Sequence, residues 1–468
     1  MSRKLHFGWT TLALLALGFL LVATAYWPGI MIDDARWQYQ QSVDNAYEDW
    51  HPPLMAWIWR GFMLVHPGPG PMLLLQLALL WLGLGLVAYW AYRRQQPRLA
   101  IGIALVGWIP ATLALSGSVT KDCLMAGTLC CATGLVLLRA MVVGRARRTL
   151  CSLGAVGLII FAAALRLNAL VACVPLLLVA LPKPFVSSKL KVAGSALVGT
   201  LALLAVGPLI NTALAAEKTD VSLSLIIFDL GGITEHSQAN QFPDVGVRDP
   251  VAVNHRCYDP VEWDSYADWA PKPCPLGFDA VQNAKDENDL DMTAIWVGAV
   301  LRHPLAYAQH RLTHFNLSTD FLVHSGPIFT AWKQSVDNPW GFHVRPNAAM
   351  DAVTATADAA ARTPLGWPIF WIAVALASVV AGVLAEAPIE LTALAASSFL
   401  YGTTYLVVGV AVGMRYYFWT ITGAALAAAL IVGELVRRGS RPSSVLIFAP
   451  LVIVAIPTAL AIVARMTL

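Results

Sequence analysis

Residues 8–28 read GWTTLALLALGFLLVATAYWP, and residues 30–38 continue as IMIDDARWQ. The first run has no charged residue and is long enough to cross the hydrocarbon core of a bilayer as a helix. Two carboxylates, Asp33 and Asp34, follow directly where the chain leaves the lipid. Similar apolar runs recur along the chain. The predicted spans are 8–28, 72–92, 100–118, 123–143, 150–165, 168–182, 192–213, 365–385, 391–411, 417–436 and 445–464.

Composition supports the same conclusion. Of the 468 residues 57% are hydrophobic and 13% are charged, and the mean hydropathy is +0.63. A soluble domain usually carries about 25% charged residues, so lipid must solvate much of this surface. The net charge of +3 comes without any basic tract, so we expect no nucleic-acid partner. The sequence predicts an all-α polytopic membrane protein with about eleven transmembrane helices.

Basic residues in the short connections predict the orientation, because they concentrate on the cytoplasmic side. One set of connections holds fifteen of the 31 Lys and Arg residues: Arg3, Lys4, Arg93, Arg94, Arg98, Arg139, Arg145, Arg147, Arg148, Lys183, Lys189, Lys191, Arg437, Arg438 and Arg441. The amino terminus is therefore predicted to be cytoplasmic and the carboxyl terminus outside. Cleavage of residues 1–25 as a signal peptide, after Ala23-Thr24-Ala25, stays an alternative.

The spans divide the chain into three predicted parts. Residues 1–213 form an amino-terminal module of about seven spans with a first outer loop at 28–71, residues 214–363 form a large outer loop, and residues 364–468 form a module of about four spans. The large loop holds 19 of the 28 acidic residues, and a loop of this length must fold. Helices are predicted at 289–302, 304–322 and 347–362, and irregular structure at 238–280.

Only two of the seven cysteines, Cys257 and Cys274, lie in the polar loop. If that loop faces an oxidising compartment, the pair is expected to form a disulfide. Two free thiols are the alternative. The other five cysteines lie in or beside apolar segments and are expected to pack as small hydrophobic residues.

Each outward connection carries polar groups close to an apolar segment. They are the Asp33-Asp34 pair, Lys121-Asp122, Arg166 with Asn168, His310-Arg311 and Arg415. Arginine and lysine side chains that converge at a membrane surface suit a phosphate or pyrophosphate, because their N–H donors match its oxygens. The simpler interpretations are that basic side chains reach towards lipid headgroups, and that the two aspartates mark the water boundary and cap a helix.

The first outer loop resembles that of the GT-C glycosyltransferases, which include protein O-mannosyltransferases and the aminoarabinose transferases of lipid A. The likeness lies in the acidic pair after the first span and in DWHPPLMAWIW at 49–59. Uncharacterised bacterial relatives are more similar still. The matching positions are Asp34, Gln38, Asp49 to Pro53, and Lys121-Asp122. Asp33-Asp34 stands where Asp-Glu is commoner, which leaves open which aspartate is catalytic.

The resemblance implies a GT-C-like fold and a hexosyl- or pentosyltransferase that takes a sugar from a polyprenyl-phosphate donor. The acceptor would be a lipopolysaccharide, another envelope glycan or a protein. Asp34 or Asp33 would polarise the acceptor hydroxyl. The groups expected to bind phosphate or substrate are Lys121, Asp122, Arg166, Arg311, Arg415, His51 and Gln38. A divalent cation such as Mg²⁺ or Mn²⁺ on Asp33 and Asp34 stays open, and no other cofactor is expected.

Two other functions stay open. The chain could be a polymerase or ligase of lipid-linked glycan chains, whose donor would be a pyrophosphate-linked oligosaccharide. It could also be a transporter of lipid or polysaccharide, although transporters carry charges or broken helices deep inside their spans and these spans hold few ionisable residues. The predicted location is a bacterial cytoplasmic membrane, with the large loop in the periplasm and lipids as neighbours.

Overall fold

The computed structural model describes residues 2–324, 331–439 and 443–467. Residues 325–330 of the predicted outer loop, and Arg441 of the basic set, lie outside these ranges. The described chain is helical apart from turns, loops and three isolated β-bridges. In chain order the α-helices are α1 Ser2–Tyr26, α2 Asp33–Asp44, α3 Leu54–Met63, α4 Gly70–Arg93, α5 Pro97–Val106, α6 Pro110–Leu115, α7 Lys121–Arg139, α8 Arg145–Leu165, α9 Ala169–Ala180, α10 Lys189–Ala213, α11 Ser222–Ser237, α12 Pro250–Cys257, α13 Phe278–Asn288, α14 Met292–Arg302, α15 Pro304–Ser318, α16 Ala348–Ala361, α17 Pro368–Leu384, α18 Ile389–Val408, α19 Phe418–Arg438 and α20 Ser444–Thr467.

The protein is a polytopic membrane protein. Eight helices among the described residues are long and apolar enough to cross a bilayer: Gly8–Tyr26, Gly70–Arg93, Lys121–Arg139, Arg145–Leu165, Lys189–Ala213, Ile389–Val408, Met414–Arg438 and Ser444–Thr467. Four shorter apolar helices accompany them, at Pro97–Val106, Ala169–Ala180, Met292–Arg302 and Pro368–Leu384. The count of eleven crossings stays a prediction. A helix as short as Ala169–Ala180 extends about 18 Å, less than the roughly 30 Å of hydrocarbon.

The stretch predicted as a third span, 100–118, is two helices, α5 and α6, joined by a turn. Pro110 begins α6 and has no backbone N–H, so the preceding helix cannot continue through it. Gly107 lies in the turn, where a Cβ would meet the Trp81 ring at 2.6 Å. The break leaves residues 116–120 free to pair with another part of the chain, and this pairing positions the site described below.

The chain forms two compact units. The first comprises Met1–Glu217, Gly326–Gly402 and Met414–Ala459, and the second comprises Lys218–Ser325, Thr403–Gly413 and Leu460–Leu468. In the first unit α7 is almost wholly buried between α4 and α8, and α19 packs against α5, α7 and α17. In the second unit α11 is central and packs against α12, α13, α14 and α15. The predicted three-part division of the chain stays a prediction.

Helices α14, α15 and α16 lie close to the predicted ranges 289–302, 304–322 and 347–362. The prediction of irregular structure throughout 238–280 is wrong at α12. That helix begins with Pro250, and the Asp249 side chain caps it by accepting from the Ala252 N–H at 3.0 Å. Cys257 at its end is joined to Cys274 by a disulfide. Helix α11, Ser222–Ser237, is not among the helices predicted from the sequence.

Candidate active site

Asp33 and Asp34 occupy the first turn of α2 but point in different directions. Consecutive residues of an α-helix are about 100° apart around the axis. The Asp33 side chain is 78% exposed and lies 3.7 Å from the Arg36 guanidinium. The Asp34 side chain is only 21% exposed and faces other polar side chains of the first unit. The structure therefore brings Asp34, and not Asp33, into the candidate site.

Backbone pairing places the start of α2 beside the start of α7. Ile30 donates to the Gly117 carbonyl at 3.1 Å and accepts from the Val119 N–H at 2.9 Å. The buried Gln76 amide of α4 holds the same turn by donating to the carbonyls of Ser116 and Ser118 at 2.9 and 2.7 Å. Because this turn replaces the end of the predicted third span, the first residues of α7 come within reach of Asp34.

Lys121 and Asp122 are the first two residues of α7. Thr120 precedes them, and its side chain caps the helix by accepting from the Cys123 N–H at 3.3 Å. The Lys121 ammonium lies 3.6 Å from Asp34 Oδ2 and 2.6 Å from His51 Nδ1. An ammonium group can only donate, so His51 Nδ1 accepts and its proton is on Nε2. That Nε2 lies 4.0 Å from Asp34 Oδ1.

Arg415 makes the closest contacts with Asp34. It lies in a 3₁₀ helix, Met414–Tyr417, directly before α19. Its Nη1 donates to Asp34 Oδ2 at 3.0 Å and its Nη2 donates to Oδ1 at 3.3 Å. This two-pronged geometry is the one in which a guanidinium binds a carboxylate or a phosphate most strongly. Nη2 also donates to the Tyr416 hydroxyl at 3.1 Å.

Arg166 and Asp122 form a second ion pair next to the first. The Arg166 Nη1 contacts Asp122 Oδ1, and its Nε donates to Asn168 Oδ1 at 3.2 Å. The ring of Tyr416 links the two pairs, because the Arg166 and Arg415 guanidinium carbons lie 5.2 and 4.9 Å from its centroid. We call the combined group the Asp34 cluster: Asp34, His51, Lys121, Asp122, Arg166, Arg415 and Tyr416.

The Asp34 cluster has a surplus of positive charge. Three cationic and two acidic side chains leave one positive charge when His51 is neutral. Burial, reinforced by the neighbouring Lys121, lowers the pKa of His51 to about 3. Burial raises the pKa of Asp34, but Arg415, His51 and Lys121 outweigh it and hold that pKa well below its usual range. Asp34 is therefore ionised and His51 is neutral near pH 7.

Two predicted site residues make their contacts elsewhere. Gln38 is buried, and its Nε2 donates to the backbone carbonyl of Asp34 at 3.1 Å, within α2. Arg311 belongs to the second unit. Its Nη2 lies 2.6 Å from Asp229 Oδ1 and its Nη1 donates to the Gly409 carbonyl at 2.6 Å. The expected phosphate-binding role of Arg311 has no support from these contacts.

The possible divalent cation on Asp33 and Asp34 stays a prediction. Asp33 and Asp34 point apart, so their carboxylates do not share a site. Within the described ranges no group of three or more His, Cys, Asp or Glu side chains is arranged to hold a metal ion. A divalent ion at Asp34 would also lie beside the charges of Lys121 and Arg415, which repel it.

Three further residues shape the cluster and are not among the residues predicted from the sequence. Tyr416 follows a predicted site residue but was given no role. Trp332 lies 6.0 Å from the Arg415 guanidinium carbon, and nothing in the sequence near it indicates this. Gln76 is a lone polar residue inside an apolar run. That exception was a usable signal, because a buried amide in a span needs partners for its hydrogen bonds.

Solved structures of two membrane proteins are among those that the chain resembles loosely. ArnT from Cupriavidus metallidurans bound to undecaprenyl phosphate is 14% identical, with a TM-score of 0.34 over 92% of this chain and 78% of that one. The archaeal oligosaccharyltransferase AglB from Archaeoglobus fulgidus, in complex with an inhibitory peptide and a dolichol-phosphate, is 14% identical. Its TM-score is 0.37 over 97% of this chain and 56% of that one, so this chain spans little more than half its length.

No protein-family model matches the chain, and no curated protein matches it. The identities and TM-scores of the two structures are low, and the function proposed below rests on the geometry of the Asp34 cluster.

Proposed function

We propose that the protein is a membrane glycosyltransferase that moves a sugar from a polyprenyl-phosphate donor to a cell-envelope acceptor. One observation carries the proposal. An ionised carboxylate, Asp34, lies among cationic groups from three distant segments, at Lys121, Arg166 and Arg415, in a partly buried cluster beside apolar helices. The resemblance of the first outer loop to GT-C glycosyltransferases points to the same reaction.

The side chains of the Asp34 cluster suit the chemical requirements of that reaction. The leaving group is a lipid phosphate that gains negative charge, and the guanidinium of Arg415 and the ammonium of Lys121 can stabilise that charge. The acceptor hydroxyl needs a base as it attacks the anomeric carbon, and Asp34 can supply one. Asp122 Oδ2 is buried and has no hydrogen-bond partner among the described residues, so it is available to accept from a sugar hydroxyl.

The proposed setting is a bacterial cytoplasmic membrane with the cluster on the periplasmic side. The distribution of basic residues in the short connections supports a cytoplasmic amino terminus and an outer large loop. Proposed acceptors are a lipopolysaccharide, another envelope glycan or a protein. The proposed donor is a polyprenyl phosphate that carries a hexose or a pentose, with its prenyl tail in the lipid.

The test is a transfer assay with purified protein in liposomes, radiolabelled polyprenyl-monophosphate sugars as donors and cell-envelope lipids, glycans or proteins as acceptors, with label on the acceptor and release of free polyprenyl phosphate as the readouts. We expect Asp34→Asn to lower the rate by about 100-fold or more, the usual size of a lost general base. Asp33→Asn, its exposed neighbour, should stay within a few fold of the wild type. Equal rates for the wild type and Asp34→Asn would refute the proposal.

The same liposomes separate the two other functions when a pyrophosphate-linked oligosaccharide is supplied as a second donor and the sidedness of the labelled lipid is followed. A polymerase or ligase would act only on pyrophosphate-linked oligosaccharides, and its products would form a ladder or a large transferred block on a gel. A transporter would move the labelled lipid across the bilayer without releasing polyprenyl phosphate. Either result would replace the proposed transfer of a single sugar.

A further inference from the structure

The Asp34 carboxylate contacts N–H donors that a bound phosphate would also contact. The two N–H groups of Arg415 that point the same way both contact its carboxylate, at 3.0 and 3.3 Å. The Lys121 ammonium lies 3.6 Å from the same carboxylate. A phosphate binds a guanidinium through the same pair of N–H groups as a carboxylate does. A phosphate that binds Arg415 end-on, through Nη1 and Nη2, therefore competes with Asp34 for one place.

Asp34 is also a poor base in this arrangement. A carboxylate that is paired with a guanidinium and lies near an ammonium takes up a proton reluctantly, because the nearby cations favour its charged form. Breaking the pairing between Asp34 and Arg415 would supply both the end-on site for the leaving phosphate and a stronger base for the acceptor.

We propose that Asp34 occupies the donor phosphate's place on Arg415 and Lys121 in the ligand-free protein, and that the arriving phosphate displaces it and thereby frees it to act as a base. The inference rests on the proposed glycosyltransferase function and concerns the regulation of that site. Asp34 becomes competent only when the donor is bound.

Once Asp34 is freed, proton transfer, bond formation and departure of the carrier phosphate occur as one chemical step. The freed Asp34 carboxylate takes the proton of the acceptor hydroxyl while the hydroxyl oxygen forms a bond to the anomeric carbon. The bond from that carbon to the phosphate oxygen breaks, and its electron pair leaves with the carrier phosphate. Arg415 and Lys121 stabilise the added negative charge. Without donor the base stays paired, so the acceptor is not deprotonated.

The test measures binding rather than turnover. Native mass spectrometry or fluorescence titration gives the affinity for a short-chain polyprenyl monophosphate. Two control ligands are measured beside it. The polyprenol of the same length has the tail without the phosphate, and phosphatidylglycerol has an ordinary lipid headgroup. We expect Asp34→Asn to bind the polyprenyl phosphate about tenfold more tightly than the wild type, a typical size for coupling between two ligands. Polyprenol and phosphatidylglycerol should show no such gain.

Two variants complete the comparison. Asp44→Asn removes a carboxylate from the far end of α2 and should bind polyprenyl phosphate as the wild type does. Asp34→Ser separates the effect of losing the carboxylate from the effect of introducing an amide. This variant should also bind polyprenyl phosphate more tightly than the wild type does. Equal or weaker binding by both Asp34 variants would overturn the inference.

A measurement on the wild type covers the case in which the Asp34 variants do not fold. Isotope-edited infrared spectra with ¹³C-labelled aspartate should show one carboxylate band shift when polyprenyl phosphate is added, because Asp34 loses its guanidinium partner. Unchanged carboxylate bands at saturating ligand would overturn the inference. Tighter binding by Asp34→Asn without sugar transfer by the wild type would instead refute the proposed function and leave the competition standing.

Discussion

At the scale of single residues, His51 has the role that is easiest to isolate. Its Nδ1 accepts from Lys121, and its low pKa keeps it neutral in the folded protein. It therefore orients the Lys121 ammonium towards Asp34 as a hydrogen-bond acceptor, and it does not act as an acid or a base near pH 7.

His51→Asn should retain most of the transfer activity, because the asparagine Oδ1 can replace the Nδ1 acceptor. His51→Phe should lower the activity about 10- to 100-fold, since a hydrogen bond to a charged group contributes about 1.5–3 kcal/mol. The transfer rate of the wild type should show no inflection near pH 6.5 from His51. Equal losses in His51→Asn and His51→Phe would contradict the acceptor role.

The lowered pKa of His51 predicts that the stability of the folded protein depends on pH. The unfolded chain binds a proton at His51 below pH 6.5, while the folded protein does so only at about pH 3. The contribution of neutral His51 is therefore complete above pH 6.5 and is lost as the pH falls towards 3, by up to about 1.4 kcal/mol per pH unit. The thermal melting point of the wild type should fall more than that of His51→Asn between pH 7.5 and pH 5.

The sequence predicted the candidate site residues around Asp34, but it did not show which of Asp33 and Asp34 faces the site. Both carboxylates stand at the same boundary in the sequence. The choice depends on the rotation of α2 about its axis, which is fixed by the pairing of Ile30 with Gly117 and Val119. These residues lie almost 90 positions apart in the chain, and no local pattern in the sequence indicates that they meet.

At the scale of elements, α11 and α15 of the second unit hold Arg311 in a structural ion pair. Asp229 is fully buried, and it contacts the Arg311 guanidinium at 2.6 Å, the Trp296 Nε1 at 2.8 Å and the His310 Nε2 at 3.3 Å. Removing one partner of a buried ion pair leaves the other charge uncompensated.

Asp229→Asn should therefore destabilise the second unit by about 3–5 kcal/mol, because Arg311 stays buried without its counter-charge. Asp286→Asn, which removes an exposed partner of Lys285 in the same unit, should cost less than about 1 kcal/mol. Limited proteolysis of residues 218–324 during a thermal ramp measures both. Equal resistance of Asp229→Asn and the wild type would contradict a structural role.

The elements were predictable where an apolar run or a cap is visible in the sequence. The long spans and the start of α15 at Pro304 belong to this class. The break between α5 and α6 was missed because an apolar run was counted across Pro110, although proline ends a helix. The helix α11 was missed because its buried face carries Asp229 and two glycines, which disguise the apolar stripe.

At the scale of the whole molecule, the Asp34 cluster lies within the first unit. Five parts of the chain, near residues 34, 51, 121, 166 and 415, meet in the Asp34 cluster. The sequence predicted Asp34, Lys121, Arg166 and Arg415 because each stands near the outer end of a predicted span, and it predicted His51 through the resemblance of the first outer loop. The sequence did not show which acidic side chain pairs with which cationic side chain, since that depends on how the helices pack.

The most direct test is an experimental structure of the protein with a polyprenyl monophosphate bound. We predict that phosphate oxygens lie about 3 Å from the Arg415 guanidinium and the Lys121 ammonium, with Asp34 displaced from Arg415 and the prenyl tail in the lipid. A phosphate bound elsewhere, with Arg415 still paired to Asp34, would contradict both the assignment of the site and the competition at it.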